Sequence, residues 1–377
     1  MRKLSYLLLL LSVGAMAEIA PEKLNVIETL PDRYPADWII AQDLSFFHMS
    51  NGKFIVLDAG SDDPVARFKG FFNGSFIAQF HQPENESLMY IVETFHARGN
   101  RGERTDVLTV YDKANLAPVG EVVIPPKRSS QMPTNYNLQT VDDGKLALVY
   151  NFTPAQSVTV IDLEKLEVLG EIPIPGCALV YPMAGRAFGS LCGDGTMMSV
   201  QIDANGGLAS SARTDRFFDA DTDPVMEKAA FHDGIAYFPT FAGNVVPVNM
   251  NGSEPEVLDA WSMVDGVDGG WRPGGISLSA TDSEGNLWIT MHPDGGDGTH
   301  KSPGSEVWVL DTKKKSLTRR IEMQMPVFSF ALTRDDSLLV GASVEFNIDV
   351  YDASSGKLLR TLADFGQETP LMLHGAN

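Results

Sequence analysis

The side chains best suited to metal or proton chemistry are the seven histidines, His48, His81, His96, His232, His292, His300 and His374, and no two of them sit at metal-ligand spacing. His292 and His300 share the stretch HPDGGDGTHKSP with Asp294 and Asp297, a donor set that could in principle hold a cation. So glycine-rich a segment reads first as a solvated surface loop. The run DADTDPV at 219–225 resembles a fragment of a calcium loop but lacks its glycine and closing glutamate. The sequence contains no GxSxG, HExxH, CxxC or P-loop run. Two cysteines, Cys177 and Cys192, remain. An even count in an exported chain points to one disulfide, with a pair of free thiols as the alternative. Closing a loop of about 15 residues would stabilise the chain by roughly 3 kcal/mol in the chain-entropy model. No metal site and no catalytic group of its own is expected.

The frame that must position these residues is built by repetition. SVTVIDLEKLEVLGEIPIPG (157–176) alternates up to Asp162, turns through polar residues and alternates again, which reads as two antiparallel strands and a tight turn. Copies centre on Asp112, Asp311 and Asp352, weaker ones on Asp58 and Asp203, and one on Asn249, at spacings of 41 to 62 residues. A unit of that size holds four short strands. Seven units predict an all-β fold, a seven-bladed β-propeller, whose ring leaves few exposed sheet edges. Trp38 to Phe47 reads as a first strand that completes the last blade and closes the ring.

Met1-Arg2-Lys3, the apolar run Leu4 to Val13 and Ala15-Met16-Ala17 have the three parts of an export signal. The apolar run is too short to span a bilayer. The expected organisation is a signal peptide at 1–17, an N-terminal arm at 18–36 outside the ring, and the propeller over 37–377, in a bacterial periplasm. The formal charge of −20 disfavours nucleic acid and anionic membranes as partners.

Two insertions interrupt the repeat: the basic, glycine-containing stretch 96–106, and the region between Asn249 and Asp311 with WSMVDGVDGGWRPGG (261–275) and HPDGGDGTHKSP (292–303). Long loops on a rigid frame are where function usually sits. These segments also carry a resemblance. FHARGNRGERTDVLTVYD (95–112), IPPKR (124–128), GC…LCGDG (176–195), WRPGG (271–275) and MHPDGGDGTHKSPGSEVWVLDT (291–312) resemble the large subunit of the tryptophan tryptophylquinone-dependent amine dehydrogenases. The likeness is closer to the aromatic-amine (aralkylamine) type than to the methylamine type.

The resemblance implies a periplasmic seven-bladed propeller, two copies of which bind two small, cysteine-rich subunits. The small subunit carries tryptophan tryptophylquinone, made from two of its own tryptophans. It oxidises a primary amine to aldehyde and ammonia and passes electrons to a small blue copper protein. The present chain has two cysteines and scattered tryptophans, Trp38, Trp261, Trp271, Trp288 and Trp308, so no cofactor and no catalytic residue are expected in it. By resemblance it supplies a scaffold and one wall of the substrate channel. The implied wall residue is a phenylalanine late in the first repeat. In RFKGFFNGSF (67–76), Phe72 matches best and Phe71 is its neighbour should the register slip; a core aromatic between blades is the competing reading. The stretch 77–95 matches loosely, so the amine itself is not carried over. From another functional class, a stand-alone periplasmic binding propeller also fits. A lactonase-like propeller would need convergent Asp, Glu, Asn or His at strand starts, and no such set is visible.

Overall fold

The recurrent aspartate explains the repeat locally. Asp162 Oδ1 accepts the backbone N–H groups of Glu164 and Lys165 at 3.0 and 2.9 Å, and Asp311 Oδ1 those of Lys313 and Lys314 at 3.0 and 2.8 Å. Asn249 Oδ1 accepts that of Asn251 at 3.1 Å, as the carboxylates do elsewhere. Four residues after the aspartate the backbone turns left-handed, with φ of 51°, 52° and 54° at Leu116, Leu166 and Lys315 and 73° at Gly356. A side-chain-capped turn followed by such a residue is a short hairpin with a bulge. The strand register duly shifts beside Asp112, Asp162 and Asp311.

The computed structural model describes residues 29–44, 51–75, 77–83, 87–363 and 370–376, and they form an all-β propeller. Every paired strand is antiparallel to its neighbour within the sheets. The second sheet is typical, running Gln79–His81, Leu88–His96, Arg104–Asp112, Ala117–Ile124 from inner to outer strand. Sheets face one another through apolar layers. Trp38, Phe54 and Phe72 of the first meet Phe80, Met89 and Ile91 of the second. Ile39, Ile55 and Leu57 meet Val340, Ile348 and Leu362 on the other side.

Two expectations are corrected. Five sheets stand alone as discrete blades, not seven. The repeats of Asp311 and Asp352 lie in one eight-stranded sheet, because Ser316–Leu332 runs unbroken for 17 residues, pairing Gly304–Asp311 with its first part and Leu338–Ser343 with its last. That segment, SLTRRIEMQMPVFSFAL, has no glycine and no polar turn cluster to part the two units. Next, Trp38–Asp43 does not complete the last blade. It is the second strand of the first sheet, and the C-terminal strand Pro370–Gly375 pairs with it as the inner strand. The described part of the arm touches the ring: the Leu30 N–H donates to Ala114 O at 2.8 Å, and the buried Tyr34 hydroxyl donates to Lys113 O at 2.8 Å. The signal-peptide segment and residues 18–28 lie outside the described residues.

The antiparallel order gives the ring two unlike ends. All the Asp-centred turns join third to fourth strands and emerge at one end, here the turn end. Connections from second to third strands, and from one sheet to the next, emerge at the other. Both insertions and the cysteines therefore lie at this loop end.

Candidate functional site

At the loop end, the basic insertion is a hairpin extension: the Ala97 N–H donates to Glu103 O at 3.0 Å and the Arg98 N–H to Arg101 O at 2.9 Å. Its root is ionic and buried. Arg104 grips Asp106 with Nε and Nη2, both at 2.7 Å, and Arg128 of the PPKR run lies against the same carboxylate. Glu93 and Thr94 complete the cluster. Burial pulls the Arg128 guanidinium down to about 10 and pushes the Glu93 carboxyl up.

Cys177 and Cys192 sit opposite each other on neighbouring strands and are joined by a disulfide. It ties the first strand of the fourth sheet to the second at the loop end. In the WRPGG segment, Arg272 and Pro273 pair with His292 and Met291. Gly274 is required there, because a Cβ would stand 2.5 Å from Ser302 O and 2.7 Å from His292 Cδ2. His292 is buried with Nδ1 3.0 Å from Pro293 O, whereas His300 is exposed. The two histidines and their aspartates thus do different things. In DADTDPV, Asp219 caps its own turn through the Asp221 and Thr222 N–H groups. Asp223 holds the neighbouring loop through Thr240, Ala242 and Asn244. Among the described residues, no three metal-ligating side chains come together.

The two candidate wall residues point to opposite faces of Phe68–Ser75, the outermost strand of the first sheet. Phe72 is 3% exposed and stacks on Phe54 with ring centroids 4.9 Å apart, with Tyr111 at 5.1 Å. Its place is the inter-blade core. Phe71 is 47% exposed, with Phe68 6.3 Å away and the Lys53 ammonium 4.9 Å over its ring. At the loop end, Phe95, Phe152 and Phe346 are also exposed.

One feature had no signal in the repeat pattern. A cavity of about 650 Å³ occupies the axis, walled by inner-strand segments from each of the seven repeats, with His81, His232 and His374 among the lining. Burial lowers His81 and His374 to about 4 each, and the positive charge each would carry adds to the effect on His374. His81 Nε2 lies 3.0 Å from Thr140 Oγ1. Only the sheet order, which brings positions 81 and 374 onto adjacent inner strands, makes them neighbours.

The architecture defines a class: an all-β propeller with its insertions and a disulfide gathered at one end. A family model described as methylamine dehydrogenase heavy chain (MADH) matches residues 35–375, and the chain belongs to that family, the heavy chains of amine dehydrogenases. It is 24% identical over 328 residues to the methylamine dehydrogenase heavy chain of Methylophilus methylotrophus, covering 85% of this chain and 79% of that one. It is 24% identical over 336 residues to the same protein of Paracoccus versutus, covering 87% and 77%. Among solved structures, it is similar to dihydro-heme d1 dehydrogenase NirN, with a TM-score of 0.54 at 16% identity over 92% of this chain and 78% of that one. It is also similar to a putative 6-phosphogluconolactonase from Bacteroides fragilis, with a TM-score of 0.58 at 12% identity over 89% and 96%. Both structural likenesses concern the fold alone.

Proposed function

We propose that this chain is the large, cofactor-free subunit of a periplasmic amine dehydrogenase, assembled as two large and two small subunits, that oxidises primary amines to aldehyde and ammonia. The observation that carries this reading is family membership across residues 35–375, essentially the whole ring. In the described residues that ring is five discrete sheets and one eight-stranded sheet. The cysteine-rich small subunit brings tryptophan tryptophylquinone, which accepts two electrons from the amine and passes them to a small blue copper protein. The five tryptophans of this chain are buried. Trp271 and Trp308 are buried 5.3 Å apart, with the Arg320 guanidinium 4.5 and 5.0 Å over their rings.

What this chain contributes is surface. Phe95, Phe152 and Phe346, set among polar loops, offer apolar anchors for the small subunit at the loop end. Of the two wall candidates, Phe71 is the one with a ring face to offer a substrate. Preference for an aromatic amine is the finer proposal and rests on the loop resemblance alone. The test is co-expression with a short, cysteine-rich exported chain encoded beside this one, followed by amine-dependent dye reduction. The pair should form a complex and turn over; this chain alone should be folded, colourless and inactive. Turnover or quinone absorbance from this chain by itself would overturn the division of labour. Failure to find or bind such a partner would leave the stand-alone binding propeller.

A further inference from the structure

We propose that the largely buried cluster of Arg104, Asp106 and Arg128, with Glu93 and Thr94, is a positioning device that clamps the corner around Ile77 and so fixes how the aromatic strand Phe68–Ser75 meets the substrate channel. The inference rests on the large-subunit reading given above. Its starting point is strain. Ile77 has φ of 40°, a left-handed conformation that is a genuine outlier for a β-branched side chain. Such a conformation persists only where its surroundings over-determine it, and it concentrates at functional sites.

The surroundings do over-determine it. On one side of Ile77, Glu93 Oε1 accepts the Ser75 N–H at 2.9 Å and Ser75 Oγ accepts the Thr94 N–H at 2.8 Å. At Ile77 itself, Arg128 Nη1 donates to the carbonyl at 3.0 Å. Beyond it, Gln42 Nε2 donates to Ala78 O at 2.8 Å, and Gln79 Oε1 accepts the Thr134 N–H at 3.0 Å. Arg128 is fixed in turn. Its Nε donates to Thr94 Oγ1 at 2.7 Å, and that hydroxyl donates to Asp106 Oδ1 at 2.7 Å. Arg104 closes the cluster with its bidentate grip on Asp106 and a bond from Nη2 to Arg128 O at 3.2 Å.

Stability is a poor explanation for this arrangement. Arg128 is 2% exposed and Asp106 fully buried, and buried ion pairs often stabilise no more than apolar side chains of the same volume. What they do impose is direction, through the planar fork of arginine. The corner they fix, Ile77 to Gln79, follows Phe68–Ser75 in the chain and lies at the loop end where the proposed partner docks.

The test uses the assembled two-chain complex with Thr94→Val, which removes the hydroxyl link at constant shape, and Arg128→Lys, which keeps the charge and loses the fork. Kinetics on methylamine and 2-phenylethylamine are read beside amide exchange at Ile77, Ala78 and Gln79. Both variants should speed exchange at the corner at least about tenfold and shift the ratio of the two kcat/KM values at least about fivefold, as small misplacements near reacting groups do. Arg186→Ala, which breaks the ion pair to Asp142 at the turn end, should move neither. A ratio within about twofold of wild type despite faster exchange would make the cluster structural and overturn the proposal, as would unchanged exchange. A wild-type complex that assembles but oxidises neither amine would instead overturn the functional reading and the channel role with it, while the exchange data would still decide whether the cluster holds the corner. Should Arg128→Lys fail to fold, Thr94→Val decides alone.

Discussion

Two adjacent rings, Phe71 and Phe72, face opposite sides of one strand, and their substitution separates packing from function. Phe72 sits in an aromatic layer with Phe54 and Tyr111, so Phe72→Ala should cost about 3–5 kcal/mol of stability, read from urea unfolding. Phe71→Ala removes an exposed ring. It should stay within about 0.5 kcal/mol of wild type, yet change discrimination between aromatic and small amines by roughly tenfold in the assembled complex. If Phe72→Ala proved as mild as Phe71→Ala, the inter-blade placement would be wrong. The axial histidines give a pH signature. His81 and His374 protonate in the folded chain only near about 4, whereas unfolded histidine does so near about 6.5. Between these values the unfolded chain binds protons that the folded chain refuses, so stability declines as pH falls through that window. Asp352 belongs to a different window. The Ser355 and Ser354 hydroxyls hold it at about 2, so its contribution is lost only below the ordinary carboxylate range. Urea midpoints from pH 7 to 4 should fall for wild type and flatten in His81→Gln and His374→Gln. A parallel fall in the variants would show that other groups drive the decline.

At the scale of elements, the disulfide gives the clearest measurement. It closes a 15-residue separation between two strands of one sheet, so Cys177→Ser with Cys192→Ser should lower the unfolding free energy by about 3 kcal/mol. Alkylation before and after reduction should show two blocked thiols; two free thiols in native protein would refute the bridge. This pairing was legible in the sequence because an even count of two cysteines follows an export signal. The Asp-centred turns were legible too, since their chemistry is complete within five residues. What was not legible depends on the chain beyond the hairpin. Alternation marks Ser316–Leu332 as strand but does not say whether two units part within it. RFKGFFNGSF has no clean alternation around its bulge at Lys69, so nothing local told Phe71 from Phe72. Arg104 and Arg128 lie in the stretches that carry the resemblance, whereas Glu93 and Thr94 lie in an ordinary strand. Only the sheet brings all four to one corner.

The whole molecule closes through its last strand. Pro370–Gly375 pairs with Trp38–Asp43, more than three hundred residues away, and forms the inner strand of the first sheet. On its other side it meets the eight-stranded sheet, where Ser329 Oγ donates to Leu371 O at 2.7 Å and Leu373 joins the apolar layer with Val340 and Ile348. Leu371, Met372 and Leu373 are all buried. At about 1.5–3 kcal/mol for each such side chain, the three together rival the roughly 5–15 kcal/mol that holds a typical domain folded. Removing the strand would also bare the edge of Trp38–Asp43, and an unpaired edge templates association with other chains. A chain ending at Leu362 should therefore lose cooperative unfolding and aggregate, despite the formal charge of −20 that favours solubility. A synthetic peptide of residues 363–377 added during refolding should restore a cooperative transition by re-forming the same pairing in trans. The decisive comparison is circular dichroism melting of the truncated chain with and without that peptide. A truncated chain that melts cooperatively without it, near the wild-type temperature, would show that the ring does not depend on this closure.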